Sequence, residues 1–161
     1  MPDPNSRAFL AEEIGLMDTQ VKIYRCATLL ILHRLRYAFS ERDDTAAELA
    51  RNILIDIGDV YRHHLTIGPR VQGIQESRGT PKGSYDYRLA PPFLVAAVEA
   101  VHPRERDDVR QKLPFVVCEQ MYPNLGDIMT KFLKFVWKSR DAGYRGRWFD
   151  LVRDGPSLVL L

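Results

Sequence analysis

The side chains able to do acid–base, metal or nucleophilic chemistry are few in this chain, and their spacing argues against a catalytic or metal site. Its histidines, His33, His63, His64 and His102, include no i, i+4 pair and no cysteine partner of the kind a zinc ion needs. Adjacent residues point to different sides of a helix, so His63 and His64 do not share a ligand. The acidic pairs Glu12-Glu13, Asp43-Asp44 and Asp107-Asp108 read as helix-start or solvated residues, which the positive end of a helix favours, and no general acid and base follow from them. No glycine-rich phosphate loop, nucleophile elbow or kinase signature occurs. The expectation is a protein that is not an enzyme, with no metal and no cofactor. Cys26 and Cys118 lie far apart in apolar runs and read as reduced core thiols.

The elements that carry these residues are those of one domain, spanning residues 1–161, with 45% hydrophobic and 27% charged residues, the balance of a globular protein. Lys and Arg number 23 against 21 Asp and Glu, a net charge of +2, which supplies no field of the sort that draws a protein to phosphate polymers. Nucleic acid is therefore not expected as a partner. No run reaches the roughly 20 apolar residues needed to span a bilayer, and residues 1–7 lack the order of a secretory signal. A cytoplasmic protein without a membrane anchor is expected.

Leu29, Leu32, Leu35 and Phe39 recur at helical spacing and predict a helix from about Thr19 to Phe39, preceded by a shorter one over Phe9 to Met17. Thr45 followed by Glu48 has the form of a capping box, so a further helix begins near Thr45. Its apolar stripe is Ala50, Leu54, Ile57, Tyr61 and Leu65, and Gly68-Pro69 should end it. Glycines and a proline between Gln72 and Leu89 predict turns and the most mobile stretch of the chain. Helix resumes at Pro91-Pro92, with Phe93, Leu94, Ala97, Val98 and Val101 apolar, and pauses at His102-Pro103. A charged segment, Arg104 to Arg110, leads into the apolar Leu113 to Met121, where Pro114 should kink the helix. Ile128, Phe132, Phe135 and Val136 form the next stripe, broken at Gly143 and Gly146, and a last helix runs from Trp148 to Val152 before Gly155-Pro156. Six to eight helices and no period-two alternation make the class all-α.

Within the second helix, Leu54-Ile55-Asp56-Ile57-Gly58-Asp59 places a glycine where it costs roughly 1 kcal/mol, so a neighbouring helix should approach Gly58 closely. The same residues, with Ala50 upstream, resemble the third homology motif of the Bcl-2 family of apoptosis regulators. Val98 and Val101 ahead of Arg110 resemble the spacing of that family's first motif, although Asp107-Asp108-Val109 departs from its pattern. Trp137, with Gly146-Arg147-Trp148, resembles the second motif with extra residues between the tryptophans.

The resemblance implies a compact, virus-encoded pro-survival member: a Bcl-2-like helical bundle with a hydrophobic surface groove that inhibits apoptosis by sequestering pro-death relatives through their amphipathic homology-3 helix. It implies a groove lined by Tyr61, His64, Leu65, Ala97, Val98, Val101, Asp107, Arg110 and Leu113, with Arg110 pairing the ligand's aspartate. It further implies a homodimer through the groove when no ligand is present, and a peripheral place at the host mitochondrial outer membrane. The other classes weighed are a non-catalytic helical scaffold, for which Ile57-Gly58-Asp59 is ordinary packing, a pro-apoptotic family member, and an enzyme or nucleic-acid binder.

Overall fold

In the computed structural model, which describes residues 4–39, 43–75, 87–117 and 122–156, the two helices expected before residue 40 are one, α1 (Pro4–Arg36). Gly15 does not interrupt it, a lone glycine being a tolerable cost, and Thr19 Oγ1 donates back to the Gly15 carbonyl at 2.9 Å. The face that meets the core carries Ile23, Ala27, Leu30 and Arg34. Leu29, Leu32 and Leu35, the stripe read from the sequence, stand about half exposed together with Met17 and Val21. Only Phe39 of that stripe is buried, and it lies beyond the helix end.

α2 (Asp44–Gln75) begins at Asp43, whose carboxylate accepts the Ala46 amide at 3.1 Å, so the cap is Asp43 and not the Thr45–Glu48 pair. Among its described side chains the buried apolar residues are Ala46, Ala50, Ile53, Ile57 and Val60, again at spacings of four and three, and Asp56 is buried beside them. Leu54 is half-buried against the core rather than within it, which rotates the inward face by about one residue from the sequence reading. The helix runs past Gly68-Pro69 to Gln75. The side chains of His64 and Leu65, residues 76–86 of the segment read as mobile, and Cys118 lie outside the described residues. Cys26 is a free, half-buried thiol packed against the core.

A 3-10 turn, Tyr87–Leu89, leads into α3 (Ala90–Ala97), which is buried on all sides apart from Pro91 because it is apolar all round. α1 and α2 both pack on it. α4 (Pro103–Val116) starts where Glu105 Oε2 accepts the Val101 and His102 amides at 3.0 Å each. It continues past Pro114 and ends two residues later. α5 (Leu125–Asp141) buries Met129, Phe132, Leu133, Val136 and Trp137, leaving Ile128 and Phe135 half-buried. It closes in a Schellman turn, with Tyr144 N bonded to the Ser139 carbonyl and Gly143 N to that of Arg140. That turn requires the positive φ of 88° that Gly143 adopts. α6 (Trp148–Asp154) completes the chain's described part.

Among the described residues every regular element is helical, so the all-α class stands. Two of the walls expected for a surface groove are not at the surface. Ala97 and Val98, named as its walls, are fully buried, because α3 is the centre of the core rather than its edge.

Gly58 does have a close neighbour: a Cβ there would lie 3.4 Å from Cε of Lys112 on α4. A lysine stem moves easily, so Gly58→Ala should gain most of the roughly 1 kcal/mol that alanine offers in a helix interior, seen as a higher urea midpoint. A loss of stability would show that α4 is held rigidly over this position.

Candidate functional site

Among the described residues the fold builds a cavity of ≈ 650 Å³ where α1, α2, α4, the end of α3 and the α5–α6 turn converge. Its floor is an ion-pair cluster around Arg34, a residue only 3% exposed. Arg34 Nε and Nη2 donate to the two oxygens of Glu99 at 2.8 and 2.7 Å, and Nη1 donates to Asp43 at 3.2 Å and to the Ala38 carbonyl at 3.1 Å. His33 completes the cluster by bonding Asp43. One guanidinium thus ties the end of α1 to the start of α2 and to Glu99, two residues past the end of α3.

Arg140 reaches the same region from α5. Its Nη1 donates to the Val98 carbonyl at 2.7 Å, and its guanidinium carbon sits 4.2 Å from the centre of the Phe39 ring. Burial is the main influence on its pKa and lowers it from the usual arginine value, the Arg34 and Arg106 charges adding to this against the attraction of Glu99. Arg106 forms a two-pronged pair with Asp141, at 2.7 Å for both bonds, and lies over the Trp137 ring. The indole of Trp137 donates to the Ala97 carbonyl at 3.1 Å. Carbonyls exposed by the end of α3 are therefore taken up by α5, which fixes the back wall. Ala50, Leu54, Ile55, Ala96 and Val101 provide apolar lining.

Two carboxylates here make stability pH-dependent. Burial alone would raise Asp43, but the Ala46 amide, the hydrogen bond with His33 and the Arg34 charge outweigh it and hold the pKa below the usual aspartate value. Glu105 is likewise lowered against burial, by the His102 and Val101 amides. A folded-state pKa below the unfolded one contributes stability above the unfolded value and loses it as pH falls through the folded one. The urea midpoint should therefore stay level from about pH 7 to 5 and drop below about pH 4. An Asp43→Asn, Glu105→Gln variant should show a shallower drop; an identical slope would mean that these groups do not carry it.

The residues named from the sequence are scattered. Ala50 and Leu54 line the cavity, as does half-exposed Val101. Ile57 is in the core, and Asp59 is exposed and paired with Arg62 one turn along. Tyr61 is half-buried and stacks on Phe115 with ring centres 3.5 Å apart. Leu113 is half-buried against the core. Arg110 is half-exposed, binds Asp107 at 2.6 Å and lies over Trp137. Arg34, Glu99 and Arg140 were missed, each being a charged residue in a stretch read for its apolar pattern. Among the described residues no group of histidines, cysteines and acids could hold a metal ion, and no helix is long and apolar enough to cross a membrane.

The family model described as the fungal specific transcription factor domain matches residues 2–161. The chain belongs to that family. No curated protein and no solved structure gives a significant match. Membership in the fungal specific transcription factor domain family overturns the resemblance to the Bcl-2 family and, with it, the inhibition of apoptosis, the viral origin and the sequestering of pro-death partners. The expectation that nucleic acid is no partner falls with that set, because the matched domain is that of a transcription factor. What resembled a homology motif is the inward turn of α2, where Ile57 packs and Gly58 admits Lys112.

Proposed function

We propose that this chain is a non-catalytic regulatory domain of a transcription factor. The family match along residues 2–161 carries the reading. The physical setting supports it: one helical core, with charged residues at α1, α2 and the end of α3 spent on holding those elements together through Arg34, Glu99 and Asp43. Groups locked in mutual bidentate bonds are poorly placed to exchange protons with a substrate, which favours a regulatory over an enzymatic role. The helical scaffold considered from the sequence is the nearest of the earlier alternatives, now with a regulatory task attached.

Fusing the full chain to an unrelated DNA-binding module and measuring transcription from a reporter bearing that module's site tests the proposal. The fusion should change reporter output by roughly tenfold relative to the module alone, equivalent to about 1.4 kcal/mol of recruitment free energy. Output equal to that of the module alone, with the fusion shown to be present and folded, would sink it.

A further inference from the structure

The cavity around Arg34 holds similar numbers of acidic and basic side chains, but they are not equally occupied. Asp43 and Glu99 are engaged by Arg34, Glu105 by two backbone amides, Asp108 by Lys112 and Asp141 by Arg106. Asp44, the remaining lining carboxylate, is engaged as well. Arg104 and Arg145, by contrast, line the same cavity with no hydrogen bond or ion pair of their own among the described residues. Arg51 joins them at the wall, near enough to Glu105 to lower its pKa but not bonded to it. The unused hydrogen-bonding capacity of the cavity is therefore almost wholly cationic donor capacity.

From this we infer that the cavity is a binding site for a small organic anion, a carboxylate or phosphate ester with an apolar body, held by Arg104 and Arg145 at the mouth. Guanidinium forks suit both acid groups, and two of them lie where a single ligand could be met from α4 and from the α5–α6 turn. The volume of ≈ 650 Å³ is in the range of metabolite pockets, and Phe39, Ala50 and Leu54 give the body of such a ligand apolar contact. An anion also compensates Arg140, whose charged form is penalised by burial and whose one hydrogen-bond acceptor among the described residues is the Val98 carbonyl. A small ligand is favoured over a polyanion because the donors border a concave, partly apolar volume rather than an open stripe.

Titration calorimetry on the full chain at fixed ionic strength, with 4-phenylbutyrate and phenyl phosphate as probes and 4-phenyl-1-butanol as the neutral control, tests this directly. At least one of the two anions should bind with one site per chain and at least about tenfold more tightly than the alcohol; which of them does so distinguishes a carboxylate from a phosphate site. Arg104→Gln with Arg145→Gln should weaken that binding about tenfold with the urea midpoint unchanged, whereas Lys131→Gln on the outer face of α5 should leave it intact. Equal affinity for the alcohol, unchanged binding by the double variant, equal weakening by Lys131→Gln, or heparin binding while both small anions fail would each overturn the inference.

Discussion

Glu99→Ala is expected to destabilise the protein by about 3 to 5 kcal/mol, the cost of removing one partner from a buried ion pair. Arg34 is 3% exposed, and without Glu99 it keeps a single 3.2 Å bond to Asp43 and one to the Ala38 carbonyl while two charge-assisted bonds disappear. Glu99 is itself only 7% exposed, so its removal leaves a guanidinium that is largely out of water with two donors unmatched. Against a typical stability of roughly 5 to 15 kcal/mol, this is a third or more of the total. Urea unfolding by circular dichroism measures it. A loss below about 1 kcal/mol would mean that Arg34 finds solvent. The charges themselves are not the source of the stability, so the paired replacement Arg34→Met with Glu99→Leu should recover most of what the single variant loses. Failure of that recovery would show that Asp43, left without its arginine, is the costly group.

The local stops and starts of the later helices were legible because they depend on single residues with one strong backbone consequence. Gly143 ends α5 through its positive φ, and α6 starts at Trp148 as read. Phe132 and Val136 fell on the buried face of α5 because the opposite face is plainly charged. α1 lacks that asymmetry. It carries one apolar set at Ile23, Ala27 and Leu30 and another at Val21, Leu29, Leu32 and Leu35, both at helical spacing, and only packing against α2 and α3 decides between them. In α2 the inward positions include Ala46 and Ala50, whose small side chains leave a faint stripe beside the more conspicuous Leu54.

The candidate site was illegible for a different reason. Arg34 and Glu99 are separated by 65 residues, and each looks ordinary where it stands: Arg34 as a base in the last turn of a helix, Glu99 as a polar residue closing an apolar run. Nothing local marks a charge that will be buried, since burial is set by the partner. The six residues from Leu54 to Asp59 misled in the opposite direction. A glycine between two apolar turns and an aspartate suits any helix crossed by a neighbour's side chain, and here that side chain is Lys112.

The register of α1 and α2 gives the second large effect, and it separates the observed core from the one read in the sequence. Leu30 and Ile53 are fully buried, so Leu30→Ala and Ile53→Ala should each cost about 2 to 5 kcal/mol, transfer and cavity terms together. Leu32 is 56% exposed and sits two residues along the same helix, so Leu32→Ala should change stability by no more than about 0.5 kcal/mol. Leu54, half-buried at the cavity wall, belongs between them at about 1 to 2 kcal/mol, because its side chain faces open volume on one side and leaves less of a void when shortened. The comparison is robust to errors in the denatured state, since Leu30→Ala and Leu32→Ala remove the same atoms from the same helix. If the pair were reversed, with Leu32→Ala the costly change, α1 would have to turn the face of Leu29, Leu32 and Leu35 inward, and Arg34 would then leave Glu99. The Glu99→Ala and Leu32→Ala results are thus coupled: a large loss in the first and a negligible one in the second follow from the same rotation of a single helix.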